Sequence, residues 1–260
     1  MRADVDRRPP PVTPLRRAQV LVGAGAFLPA ITLGLIALVL GPIVAVVVFI
    51  VAAAGAATWL WGAGERRVLA SLRGRPASVS TDARLLNLID GLCTTAGLRQ
   101  PRVIVTPHSG LNLLVAGRSA DKAVLAVTSG LVENLSRIEL EGVLADGLVQ
   151  IRRGDIIPAT VAVAIFGLGA RWAAGVGDHD AEVDLAGVAL TRYPPALVSA
   201  FETMDRLGTA LPEVPSSLAG LWLADPRTPA PTGTEAPGEA GTRSFRRPAL
   251  AERVSALREL

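Results

Sequence analysis

The stretch AVLAVTSGLVENLSRIELEGVLADGLVQIRRGD, residues 123–155, decides how this chain folds. Its β-branched start, Ala123–Thr128, predicts a strand. Ser136 is placed to cap the following helix, and Glu139 three residues later completes a capping box. The helix is predicted to run from Arg137 to about Arg152, because apolar residues recur at helical spacing: Leu140, Val143, Leu144, Leu148 and Ile151.

Two more elements are predicted before this unit. Apolar residues at helical spacing predict an amphipathic helix over Thr81–Ala96. A β-branched run predicts a strand over Arg102–Thr106. Turn residues fill Pro107–Gly117 between the two strands, and Asn112 stands there among apolar neighbours.

The C-terminal third is predicted to be helical with one long interruption. Asp178–Leu207 predicts a pair of helices around Tyr193-Pro194-Pro195. Pro212–Arg246 is rich in Pro, Gly, Thr and Ala and predicts a mobile loop. Ala249–Leu260 predicts a closing helix with three apolar residues on one face: Leu250, Val254 and Leu257.

The N-terminal region predicts a membrane hairpin. No charged residue occurs over residues 18–64, a run that is about 70 Å long as a helix, whereas one crossing needs about 30 Å. Gly41-Pro42 suits a turn between helices near Val20–Leu40 and Ile43–Trp61. A signal peptide is the alternative, but the run is too long for one and no cleavage site precedes a soluble start.

The flanks of the hairpin predict its orientation. Residues 1–17 predict a disordered, Pro-rich tail, and arginines both precede and follow the hairpin, so both flanks are expected in the cytoplasm. Ile156–Val176 is a second apolar stretch, interrupted by Arg171. A buried or membrane-surface helix is favoured there over a third crossing, because the apolar part is short for a span.

Composition excludes several classes of protein. The net charge is +3 and aromatic residues make up 4%, without a basic patch of the kind that binds nucleic acid. The single Cys93 excludes an intramolecular disulfide framework and a cysteine-based zinc cluster. His108 and His179 are the two histidines, so no His-x-x-x-His pair exists.

Several stretches, in order, resemble the M48 peptidase family, which includes the HtpX heat-shock membrane protease and the CAAX prenyl protease. The resemblance spans about residues 76–260 and rests on these segments: 97–103, 111–118, 126–132, 135–145, 151–155, 184–190, 221–226 and 247–253. It implies an α+β, zincin-like body that is mainly helical with a small sheet. An N-terminal transmembrane hairpin is also usual in the HtpX branch.

The chain departs from this family at its catalytic motif. The family pattern Ala-His-Glu-Leu-Gly-His holds zinc through two histidines and activates water through the glutamate. The same register here is ADGLVQ, residues 145–150. By the resemblance, six positions correspond to the family's zinc ligands, base and supporting residues: Asp146 and Gln150 for the two histidines, Gly147 for the base, Asp180 for the third ligand, the retained Asp184, and Arg247 for a late histidine.

These departures predict a chain without hydrolytic activity. Asp146 and Gln150 offer oxygen atoms where zinc in such sites prefers nitrogen or sulfur, so no cofactor is expected. The pocket is interpreted as a relict of the zinc site. A weak site for a harder cation, such as magnesium or calcium, is the alternative. The leading hypothesis is an inactive, multi-pass membrane protein that binds peptides or membrane proteins, with a substrate groove near Asn112. Two alternatives are an active zinc metalloendopeptidase of membrane protein quality control with a rearranged site, and a purely structural membrane partner.

Overall fold

A computed structural model describes residues 13–38, 41–166, 177–226 and 249–259 of the protein. The helices are α1 Thr13–Ala37, α2 Pro42–Ser71, α3 Val79–Ala96, α4 Ser129–Asn134, α5 Arg137–Arg153, α6 Ile156–Phe166, α7 Gly177–Thr191, α8 Pro194–Leu207 and α9 Leu250–Arg258. The strands are β1 Arg75–Pro76, β2 Arg102–Thr106, β3 Leu113–Ala116 and β4 Val124–Thr128. The predicted α+β class, mainly helical with a small sheet, is confirmed.

The four strands form one mixed sheet in the order β1-β2-β4-β3. β2 and β4 are parallel, whereas β3 runs antiparallel to β4 and β1 antiparallel to β2. Both predicted strands are present, but β3 lies within 107–117, where turn residues were predicted. All four residues of β3 are buried, so the strand lacks the alternation of apolar and polar residues that marks a half-exposed strand.

The two faces of the sheet pack against different helices. One face, with Leu113 and Leu125, contacts α5 and α3 in the main apolar core. The other face, with Leu114 and Ala126, packs against the end of α2 and against Trp222. The sheet is therefore enclosed on both sides, which explains why its strands are apolar throughout.

Helix α5 begins and ends as its sequence dictates. The Ser136 side chain accepts from the Glu139 N–H, and the Glu139 carboxylate accepts from the Ser136 N–H, so the predicted capping box is present. Gly154 ends the helix with φ of 77°, a left-handed conformation that glycine adopts without strain. These caps fix the register of α5 against the sheet.

The predicted hairpin corresponds to two helices long and apolar enough to cross a membrane, Ala18–Ala37 and Pro42–Ser71. The turn lies at Gly41, where φ is 119°, as the Gly-Pro pair predicted. The second helix was predicted to end near Trp61, but α2 continues to Ser71. Its last turns pack into the body, where Val68 and the following Leu72 are buried against the back of the sheet.

Helix α6 lies beside the part of α2 that enters the body. A Cβ at Gly64 would stand 2.0 Å from the Thr160 carbonyl oxygen, so the two backbones touch there and glycine is required. Three residues further on in both helices, Arg67 donates to the Val163 carbonyl at 3.3 Å. α2 and α6 therefore run in the same direction, and the described part of α6 packs on α2. Residues 167–176 lie outside the described residues, so the prediction for the whole of 156–176 stays a prediction.

The segment predicted as a loop from Pro212 has structure in its first part. A 3-10 helix covers Ser216–Leu221, and Trp222, Leu223 and Ala224 are buried. Long-range backbone contacts order this part, which local composition does not reveal. Residues 227–248 lie outside the described residues. The closing helix is confirmed, and its three predicted apolar residues are buried.

Candidate functional site

Residues 145–150, which are predicted to correspond to the family's zinc motif, lie in the middle of α5, on turns that are buried except at Gln150. Asp146 has 0% of its surface exposed, although a carboxylate is costly to bury without partners. Its Oδ2 accepts a hydrogen bond from Gln150 Nε2 at 3.0 Å. The two residues predicted to correspond to the family's histidines therefore bind each other, as four-residue spacing on one helix face permits.

A guanidinium from the last helix brings positive charge to these residues. Arg253 is 4% exposed and donates two parallel hydrogen bonds to the carboxylate of Asp184 on α7, of which the Nε–Oδ2 bond is 2.9 Å long. Its Nη2 also lies 3.8 Å from Oδ1 of Asp146. The guanidinium stands 4.3 Å from the centre of the Phe201 ring, in reach of a cation–π contact. We call Asp146, Gln150, Asp184 and Arg253 the polar cluster.

Helix α7 approaches α5 closely enough to enclose the cluster. A Cβ at Gly187 would lie 3.3 Å from both the Cα and the backbone nitrogen of Asp146, so the two helix backbones are nearly in contact. Asp184, three residues earlier, shares that face of α7 and is 2% exposed. The small residue thus places the second carboxylate beside the first, away from water.

Gly147 faces the sheet rather than the polar cluster. A Cβ at this position would lie 2.8 Å from Leu113 Cδ2, 3.2 Å from Leu125 Cδ1 and 3.3 Å from Val115 Cγ2. Side chains of β3 and β4 therefore occupy the space into which any larger residue would project. At the position predicted to correspond to the family's general base, the chain has no side-chain carboxylate, and a larger residue would require Leu113 to shift.

The polar cluster does not fit a zinc ion. Catalytic zinc sites use imidazole, thiolate or carboxylate ligands with one position open to water. Here Arg253 already places a cation against Asp184 and near Asp146, and a divalent ion would meet it at short range. Over residues 13–38, 41–166, 177–226 and 249–259, no group of three or more His, Cys, Asp or Glu side chains is arranged to hold a metal ion.

Asn112, predicted to contact substrate, is 0% exposed and has its amide fully engaged. Its Oδ1 accepts from the N–H groups of Leu113 and Ala224, at 3.0 and 3.1 Å. Its Nδ2 donates to the carbonyls of Ala224 and Thr209, at 2.9 and 3.3 Å. The residue therefore ties the start of β3 to the segment that follows the 3-10 helix, and substrate contact stays a prediction.

The structure describes only some of the remaining predicted positions. Asp180 lies in the first turn of α7, but its side chain is outside the described residues, as is the whole of Arg247. Glu182, near Asp180, is largely exposed and pairs with Arg153 at 2.8 Å, outside the polar cluster. Sequence reasoning missed Arg253. Its signal is a charged residue three positions after Leu250 on the apolar side of α9, where an exposed arginine would not be expected.

Comparison with known proteins identifies relatives of this chain. No protein-family model matches the chain. It is similar to proteins named Protease HtpX homolog from Desulfatibacillum aliphaticivorans (32% identity over 48% of this chain and 44% of the relative), Syntrophobacter fumaroxidans (29%, over 60% and 63%) and Tropheryma whipplei (28%, over 69% and 75%). The chain spans about half the length of most curated relatives that it matches.

Proposed function

We propose that this chain, a relative of the HtpX-type proteases of the M48 family, is a membrane-anchored pseudopeptidase. It keeps the peptidase-like body but does not hydrolyse peptide bonds, and it binds peptide segments or membrane proteins instead. The similarity to proteins named Protease HtpX homolog supports a peptidase-like body, and the residues of α5 support the loss of hydrolysis.

The observation that carries this proposal is the packing around Gly147. Water attack on an amide needs a group that takes the proton, and the loss of a general base costs on the order of 10²–10⁴ in rate. At Gly147 the carboxylate is absent, and a larger side chain would require Leu113, Leu125 or Val115 to shift. The packing around Gly147 therefore supports the loss of the general base.

The charge of Arg253 supports the same conclusion. A guanidinium that binds Asp184 in a bidentate manner balances the charge of that carboxylate, and its Nη2 also lies near the carboxylate of Asp146. The pocket thus has its positive charge from the protein itself. An active metalloendopeptidase with a rearranged site would have to move Arg253 before a metal ion could bind.

Membrane attachment is part of the proposal. The two apolar helices suggest membrane association, and their outward residues include exposed Ile43, Ile50 and Trp59. Arginines lie in the last turns of α2 and directly after it, among them the exposed Arg66 and Arg73. We place both flanks of the hairpin, and with them the body, on the cytoplasmic side, because short positively charged flanks stay there.

Metal analysis and a cleavage assay on the full-length protein in detergent or nanodiscs test the proposal. We expect no stoichiometric zinc and no chelator-sensitive cleavage of casein, whereas the Syntrophobacter homologue purified in parallel serves as the positive control. One zinc ion per chain together with chelator-sensitive cleavage would establish the metalloendopeptidase instead. A chain that neither cleaves nor retains any peptide or membrane-protein partner on crosslinking would point to the structural role.

A further inference from the structure

Helix α7 is apolar on two faces, of which the described part of the chain covers only one. Its inner face packs on α5 and includes the buried Val183 and Val188. Its outer face carries an apolar residue every four positions, and all three are exposed: Ala181, Leu185 and Ala189. Residues four apart share one side of a helix, so these three form a continuous row. A helix at the surface of a globular body usually presents polar residues to water, and this row therefore indicates a contact surface.

The row continues past the end of α7 through Tyr193. This residue is 51% exposed and Leu185 is 44% exposed, which is unusual for large apolar side chains. Tyrosine is enriched at protein interfaces because it buries a large apolar ring and keeps a polar tip. We call Ala181, Leu185, Ala189 and Tyr193 the outer stripe.

The two ends of the outer stripe carry opposite charges. Glu182 lies at the first end, where its side chain is 66% exposed although it pairs with Arg153. Arg192 directly follows the helix, is exposed, and forms no ion pair with another described residue. A partner that matches this surface needs a positive group at the Glu182 end and a negative group at the Arg192 end. A second α7 that runs in the opposite direction provides both.

Such a second copy also matches the outer stripe in size. With a two-fold axis level with Gly187, each residue faces the one that lies equally far on the other side of Gly187. The facing pairs are then Glu182 with Arg192, Leu185 with Ala189, and Tyr193 with Ala181. Each large apolar side chain meets an alanine, which lets the two helices approach closely.

Other occupants match the outer stripe less well. A parallel pair of α7 helices would set Glu182 beside Glu182 and Arg192 beside Arg192, and like charges at such contacts are unfavourable. The surface of a bilayer with anionic lipids attracts arginine but repels glutamate. The antiparallel second copy is the occupant that satisfies both ends of the stripe.

We propose that the chain forms a homodimer through the outer stripe, with two α7 helices packed antiparallel about a two-fold axis level with Gly187. The interface is isologous, because the same surface is used on both copies. One pair of 15-residue helices is small beside the roughly 1,600 Å² that a typical stable interface buries. The dimer is therefore weak and reversible, and it gains from the high effective concentration of copies held in one bilayer. This inference is independent of the loss of hydrolysis.

Charge exchange on the full-length protein tests the pairing of the stripe ends. Energy transfer between donor-labelled and acceptor-labelled copies in liposomes, at a fixed ratio of protein to lipid, measures the association. We expect Glu182→Arg, and separately Arg192→Glu, to weaken association roughly tenfold, because each sets like charges across the interface. The double variant reverses both signs and should regain most of the loss. No association of the unaltered chain, or a double variant weaker than both single variants, would overturn the proposal.

A polar substitution in the middle of the stripe tests the apolar contact. Leu185→Glu should reduce energy transfer to the level of unassociated chains, since it buries two carboxylates beside each other. Leu207→Glu is the matched control, because Leu207 is 45% exposed and lies on α8. Circular dichroism checks that both variants fold. Equal energy transfer from the two variants would contradict an interface at the outer stripe.

Disulfide formation between differently tagged chains tests the direction of packing. In a Cys93→Ala background, we expect chains with Glu182→Cys to crosslink to chains with Arg192→Cys on mild oxidation in the membrane. In an antiparallel pair, identical positions at residue 182 are ten residues apart along the axis, about 15 Å, whereas a disulfide joins Cα atoms within about 7 Å. Neither variant should therefore crosslink to itself. Crosslinks within one variant, or none in the mixture, would rule out this arrangement.

Discussion

The polar cluster and the anchor, α1 and α2 with the adjoining α6, are both tightly enclosed, but they depend on different properties of their residues. In the cluster, Arg253 and Asp184 are held by charge, and each has a specific partner. In the anchor, small residues such as Ala18, Ala26 and Ala63 allow close packing without any polar contact between them. Substitutions should therefore be severe in the cluster when they remove a charge, and severe in the anchor when they add volume.

Removal of Arg253 should have the largest effect. Arg253→Met keeps an unbranched apolar stem but leaves the carboxylate of Asp184 buried without its cation, which typically costs about 3–5 kcal/mol. Chemical unfolding of the purified protein measures the loss. Arg258→Met, which removes an exposed ion pair, should cost about 1 kcal/mol or less. Similar losses in the two variants would show that charge does not hold the cluster together.

On the side of α5 that faces the sheet, we expect added side-chain volume to lower the stability of the protein, as it should in the anchor. Gly147→Ala improves helix propensity by about 1 kcal/mol but forces a methyl group against Leu113, and overpacking typically costs about 1–3 kcal/mol. We expect a net loss of stability that Leu113→Ala relieves in the double variant, measured in a mutant cycle as a double-variant loss smaller than the sum of the two single losses. A stabilised single variant would mean that Leu113 yields readily and that the base position has room.

Two glycines on α2 sharpen the comparison within the anchor. Gly64→Ala should lower the thermal unfolding midpoint, because its Cβ would meet the Thr160 carbonyl at 2.0 Å, and a loss of about 1–3 kcal/mol is typical of such overpacking. Gly55 has nothing within 4 Å of the same position, so Gly55→Ala should change stability by about 1 kcal/mol at most, in the favourable direction. Equal unfolding midpoints for the two variants would contradict the close contact between the α2 and α6 backbones at Gly64.

The smallest effect is expected at an ion pair that is only half enclosed. Asp82 is buried at the start of α3, and the guanidinium of Arg75 holds the pKa of its carboxyl well below the usual range. Protonation in the unfolded chain begins near pH 3.9, so the stabilisation is complete above about pH 5 and is lost as the pH falls further. The difference in stability between the unaltered chain and Asp82→Asn should therefore close in acid. A difference that is as large at pH 2 as at pH 7 would contradict this assignment.

Local signals predicted the parts of this fold that depend on neighbours in sequence. Gly41-Pro42 marked the hairpin turn, Ser136 and Glu139 marked the start of α5, and β-branched runs marked two strands. These features follow from capping and backbone preference within a few residues. The apolar face of the last helix was predicted for the same reason.

Features that depend on distant partners were not predictable in this way. β3 is buried on both faces, and the segment around Ala224 is ordered by Asn112, more than a hundred positions earlier in the chain. Arg253 is buried because Asp184 and Phe201, on two other helices, receive its guanidinium. The resemblance predicts which motif residues have changed, but it did not reveal that Leu113 packs beside Gly147.

The uninterrupted course of α2 from the turn at Gly41 to Ser71 has a mechanical consequence. Its 30 residues form a rod about 45 Å long, longer than the apolar thickness of a bilayer of about 30 Å. Because Val68 is fixed to the back of the sheet, any tilt of the rod turns the sheet by the same angle. Under the membrane attachment proposed above, a thinner bilayer favours greater tilt, so bilayer thickness would set the angle at which the β3 edge faces the lipid surface.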